Sequence, residues 1–135
     1  MTTQIAVSPP EAAQTRERRR FNVAEYYAMA DAGILGSDER VELLDGEIVV
    51  KAPIGNRHAL CVDWLTRFWI LALAERAIVR IQNPVRLNNS SEPEPDITLL
   101  SWRDDFYASA HPGPQDVLLL IEVADSTVDF DRNEK

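Results

Sequence analysis

From Phe21 onward the hydrophobic positions change period several times, and each change marks an element. Val23, Tyr26, Tyr27, Ala30 and Ile34 recur at helical spacing. Asn22 and Glu25 stand ahead of them at capping-box spacing, with Asn in place of the usual Ser or Thr, so a short amphipathic helix ending near Gly33 or Gly36 is predicted. RVELLDGEIVVK then sets Asp45-Gly46 between two runs rich in Val, Ile and Leu. A two-residue type I′ turn needs positive φ at both central residues and Asp-Gly supplies it, which predicts paired strands near residues 40–44 and 47–51.

Pro53-Ile54-Gly55 breaks the pattern, and Asn56 can cap a long helix behind it. Cys61, Trp64, Leu65, Phe68, Leu71 and Ala72 read as its core-facing stripe, so Trp64, Leu65 and Phe68 are expected inside and Arg57 and Arg67 outside. His58 falls in the first turn, off that stripe. A histidine there is more often a surface or capping residue than a metal ligand, and it is given no catalytic role. AIVRIQNPVRL alternates and is β-branched, with Pro84 restricting it to an edge or a bulge. Residues 90–95 read as a turn, 96–100 as a short strand and 101–116 as a connecting loop. The continuous apolar run of DVLLLIEV, residues 116–123, predicts a central strand buried on both faces. Another helix is expected to begin at Asp131 and the sequence stops at Lys135; one turn is not stable alone, so either the domain is C-terminally truncated or another surface completes it.

With 135 residues and 15.2 kDa there is room for one domain. Residues 1–20 hold Pro9-Pro10 and the basic run ending at Arg20 without periodicity and read as a flexible tail, which leaves residues 21–135 as the domain. The longest apolar stretches, Trp64 to Ala74 and Val117 to Ile121, are interrupted by Arg67 or too short for the roughly 20 residues that span a bilayer. The N-terminus lacks the order of a secretory signal, and the lone Cys61 excludes an intrachain disulfide. A cytoplasmic protein with no membrane partner is expected. The net charge of −8 divides into +2 for residues 1–20 and −10 for the rest. Such a body argues against a general nucleic-acid coat, whose affinity comes from Lys and Arg on phosphate. It leaves a nuclease open, because carboxylates built to hold a divalent metal are incomplete without it.

Two acids sit at the ends of adjacent apolar runs: Asp96 follows Pro95, and Glu122 interrupts the last run. A buried carboxylate costs several kcal/mol unless compensated, so Glu122 calls for a cation, an arginine such as Arg80 or Arg86, or an edge position facing solvent. Pro95-Asp96, Glu122-Val123-Ala124, Asp131 and Lys135 together resemble the PD-(D/E)xK nuclease superfamily. ERVELLDGEIVV, the helix opened by Asn56-Arg57-His58, EPEPDITLL and LLLIEVADSTVDFDRNEK resemble more closely the Uma family of restriction endonucleases, over residues 21–135.

The resemblance implies an α/β, restriction-endonuclease-like core, a mixed β-sheet flanked by helices, with an N-terminal helix and β-hairpin. It implies DNA as substrate and Mg²⁺ or Mn²⁺ as cofactor, with Asp96 and Glu122 as metal ligands. Glu42 is the expected third acid and Glu47 its competitor; alternation is expected to set the two on opposite faces of the hairpin. Where the superfamily has Lys two residues after the second acid this chain has Ala124, and Lys135 on the following helix takes its place in the resemblance. Its ammonium would orient the attacking water and stabilise the charge that grows in the transition state. Two acids sharing a metal-free site should also raise the pKa of at least one of them. The competing reading is a catalytically inactive, truncated nuclease-fold protein serving as an interaction module, and an open apolar sheet face would favour a homodimer.

Overall fold

The computed structural model describes residues 16–124. The capping box forms as expected: Asn22 Oδ1 accepts the Glu25 amide at 2.8 Å, and Glu25 Oε1 accepts the Asn22 amide at 3.1 Å. It opens α1 (Val23–Asp31), after which Gly33 turns the chain with φ +75°. The hairpin also forms, with β1 (Val41–Leu44) antiparallel to β2 (Glu47–Val50) and Leu44 opposite Glu47. Asp45 and Gly46 both have positive φ, 48° and 76°. Glycine is required at position 46 for a second reason, since a Cβ there would lie 2.6 Å from Arg20 Cβ and 3.1 Å from the Phe21 carbonyl. Arg20 and Arg18 pair with Asp45 and Glu47, so residues 18–20 run beside the hairpin turn.

The next helix, α2 (Asn56–Leu73), corrects two expectations. Its N-cap is Gly55, and no side chain caps it, so Asn56 is already helical. Its buried stripe is also a different one: Val62, Leu65, Trp69 and Leu73 pack on the sheet, while Trp64 and Phe68 are 64% and 48% exposed. Cys61, Leu71 and Ala72 face outward with them. The cause lies in VDWLTRFWILAL, which is apolar on more than one side and offers two stripes, so contact with the sheet sets the phase. Trp64 and Phe68 instead stack on each other, centroids 5.7 Å apart. Arg57 and Arg67 are exposed, as the pattern predicts.

Three strands, β3 (Ala77–Ile81), β4 (Ile97–Ser101) and β5 (Val117–Ile121), form a second sheet in the order β3-β4-β5. Two helices with two sheets give the α/β class, and every strand pairing among the described residues is antiparallel. The central strand is β4, whose residues 97–100 are all buried. This corrects the reading of 116–123: among the described residues β5 lies at an edge, with Leu118 60% exposed. An apolar run records what a strand could bury, whereas neighbours on both sides decide what it does bury. Strand β3 ends at Ile81 because Gln82, at φ 50°, turns the chain ahead of Pro84. Alternation splits the core into two: Ile97 and Leu99 meet α2, and Ile78 and Leu100 meet Tyr107 on the opposite face. The Tyr107 hydroxyl donates to the Ser101 carbonyl at 2.7 Å, which ties down the loop after β4.

Residues 88–95 join the two sheets. The Gly46 amide donates to the Ser90 carbonyl at 2.7 Å and the Glu92 amide to the Leu43 carbonyl at 2.8 Å. The hairpin is thereby held beside the strand ends where the acids lie. No helix among the described residues is long and apolar enough to cross a membrane.

Candidate active site

Register brings the two leading acids together. Ile97 pairs with Ile121 across antiparallel strands, so Asp96, one residue before β4, stands beside Glu122, one residue after β5. The Asp96 amide donates to Glu122 Oε2 at 3.4 Å, and the Val123 amide donates to Asp96 Oδ2 at 2.8 Å. Asp96 is 5% exposed. Glu122, by contrast, is an exposed residue past a strand end, so the buried central carboxylate expected from the sequence is Asp96 and not Glu122.

His58 is the first correction within the site. It lies in the opening turn of α2, half-buried, with Nε2 3.0 Å from Asp96 Oδ2 and a buried Nδ1 that has no partner. Sequence reasoning set it aside because the stripe it lay off was the wrong stripe. The signal available was a polar ring one turn into a helix whose start must meet the strand ends.

Burial pushes Asp96 upward, but the Val123 amide and then His58 outweigh it and hold the carboxyl below the usual aspartate range. Glu122 goes the other way, raised by desolvation against the cleft wall and then by the charge of Asp96. Glu122 is thus the raised member of the pair, by desolvation first and by repulsion from Asp96 second, so mutual repulsion contributes to the shift without dominating it.

The pair opens into a cleft of about 340 Å³ whose polar lining is Arg40, Glu42, Lys51, His58, Asp96 and Glu122. Glu42 comes from β1, and its Oε2 accepts the Glu94 amide at 3.0 Å. Lys51, just past β2, donates to the Glu94 carbonyl at 2.5 Å and lies 3.9 Å from Glu42 Oε2. Lys51 was missed by sequence reasoning, although the hairpin register signals it: Glu42 pairs with Val49, so Lys51 shares the face of Glu42. The same register corrects the expectation for Glu47, which pairs with Leu44 and so lies on the face of Glu42. A two-residue turn puts cross-strand partners on one face, and counting along one strand overlooked this. Distance along the hairpin separates the two acids: Glu47 is at the turn, paired with Arg18 at 3.2 Å, and only Glu42 reaches the cleft.

Among the described residues no three His, Cys, Asp or Glu side chains are grouped to hold a metal ion. Asp96 and Glu122 converge, and Glu42 stands apart in the same cleft. Two adjacent carboxylates are hard oxygen donors of the kind Mg²⁺ takes, since it keeps several waters and is bound through one or two carboxylates plus substrate phosphates. The donor set fits that ion. Lys135 and Asp131 lie outside the described residues.

A helix-backed sheet with an acid pair at its strand ends is consistent with a nuclease domain of the restriction-endonuclease type. The chain belongs to the Uma2 family, described as putative restriction endonuclease, whose model matches residues 23–135. A search of curated proteins gave no match.

Proposed function

We propose that this protein is a DNA endonuclease that hydrolyses phosphodiester bonds with Mg²⁺ or Mn²⁺. The observation that carries the reading is the Asp96–Glu122 pair, set side by side by strand register in a cleft that also holds Glu42 and Lys51. Asp96 and Glu122 would hold the metal, with Glu42 as the third acid of the site. When bound, the metal supplies polarisation of a phosphoryl oxygen and a lower pKa for an attacking water. His58 and the Val123 amide fix the Asp96 carboxylate and keep it ionised, so it is ready to bind a cation. Lys135, by the family resemblance, brings the ammonium that orients the water and balances charge in the transition state. Lys51 braces Glu42 and the backbone leading to Asp96.

Supercoiled plasmid tests this directly. The wild-type chain should nick it with Mg²⁺ or Mn²⁺ and stop when the metal is chelated, and Asp96→Ala should lose both nicking and Mn²⁺ binding measured by calorimetry. Lys135→Ala should lose nicking but keep Mn²⁺ binding, because a cation is not a ligand of the metal. If neither metal supports nicking by the wild-type chain, the nuclease reading falls.

A further inference from the structure

The sheet face opposite α2 carries a second polar cleft, of about 450 Å³, lined by Arg80, Arg86, Tyr107, Ser109 and His111. Arg80 in β3 pairs with Thr98 in β4, two positions from the Ile78–Leu100 pair, so it points to the Tyr107 side. Its Nη2 lies 2.9 Å from His111 Nδ1. A guanidinium can only donate, so Nδ1 accepts, and the neutral ring carries its proton on Nε2 as a further donor. Among the described residues no carboxylate forms an ion pair with Arg80.

The acids nearby are already engaged. Glu92, 2% exposed, accepts Arg86 Nε on one oxygen at 2.9 Å and the Tyr27 hydroxyl on the other, which leaves the terminal N–H groups of Arg86. Asp105 pairs with Arg103, and Asp116 accepts the Gly113 amide at 2.9 Å. Arg80 and Arg86 therefore share Glu92 as the one buried carboxylate beside them, and only Arg86 is paired with it among the described residues. Burial pushes both Arg80 and His111 below their ordinary pKa ranges, the cost of holding cationic forms away from water. An anion entering the cleft would relieve it.

We propose that the Arg80–Arg86–His111 cleft binds a phosphoryl group. Guanidinium forks match phosphate oxygens bidentately, and two forks with an imidazole N–H suit a tetrahedral anion better than a planar carboxylate. The volume exceeds that of a phosphate alone and leaves room for what it is attached to. The site is independent of the catalytic reading, being built on the other face of the sheet from other residues.

The test uses the full chain, ¹⁵N-labelled, titrated with inorganic phosphate while the arginine Nε–H and histidine ring signals are followed by NMR. Saturable shifts at Arg80 and His111 are expected. The affinity read from the His111 shift should be lost in Arg80→Gln, weakened about tenfold in Arg80→Lys, which keeps the charge but not the fork, and unchanged in Asp96→Asn. A second arm measures binding of a short DNA duplex by anisotropy in metal-free buffer. If the group is a backbone phosphate, Arg80→Gln weakens binding, lowers the salt slope by about one, and inorganic phosphate competes. If DNA binding is unchanged while phosphate still shifts Arg80, the site belongs to a small phosphorylated ligand and the proposal stands. Absence of a saturable shift in the wild-type chain on titration with inorganic phosphate overturns it, as does an equal phosphate response at His111 in a folded Arg80→Gln or Arg80→Lys protein.

Discussion

Tyr27 shows how a single side chain couples folding to pH. Its hydroxyl donates to buried Glu92, and burial, that hydrogen bond and the charge of Glu92 all push its pKa above the ordinary tyrosine value. In the unfolded chain a tyrosine ionises near about pH 10. A group whose acid form is favoured by folding gives stability that is fully present below that pH and lost as pH rises above it. The urea midpoint should therefore fall above about pH 10, and Tyr27→Phe should reduce that fall. At neutral pH the same change should cost about 1–3 kcal/mol, since a buried Glu92 oxygen loses its donor. An alkaline loss of the same size in Tyr27→Phe would assign it to other groups. At this scale the sequence disclosed Asp96 and Glu122, because acids at the ends of apolar runs are visible as interruptions. It did not disclose His58 or Lys51: their roles come from which helix turn and which hairpin face meet the strand ends, and neither is a local property.

Elements were legible where local chemistry alone determined them. Asp45-Gly46 fixed the hairpin, because its positive φ pair admits few residues, and Asn22 with Glu25 fixed the start of α1. Gly46→Ala should lower stability by more than about 1 kcal/mol, combining a strained φ with backbone contact near Phe21; thermal unfolding reads this, and an unchanged midpoint would mean the turn relaxes freely. The phase of α2 and the place of β5 were not legible, since a helix apolar on two sides and a strand with a continuous apolar run each fit more than one arrangement. Tryptophan variants test the phase directly. Trp69→Ala should cost about 3 kcal/mol, whereas Trp64→Ala should stay within about 0.5 kcal/mol, the usual range for surface changes. The reverse order in urea titrations would restore the stripe that the sequence suggested.

For the whole molecule, the cleft is an assembly of parts distant in sequence: Glu42 and Lys51 from the hairpin, His58 from α2, Asp96 and Glu122 from the strand ends. Residues 88–95 run between hairpin and sheet, and Lys51 grips that segment through the Glu94 carbonyl while facing Glu42. If Lys51 acts by holding Glu42 and Glu94 in place, its effect must depend on Glu42. Lys51→Met should then slow nicking by about 10²-fold, the scale of a misplacement near 1 Å, with Mn²⁺ affinity largely kept because Asp96 and Glu122 are untouched. Glu42→Gln should slow it as well. In the double variant the two losses should not add, because residues that work through one contact share its energy. Additive losses would mean that Lys51 meets the DNA or the reacting phosphate itself, and that the brace between hairpin and sheet is not what the site requires of it.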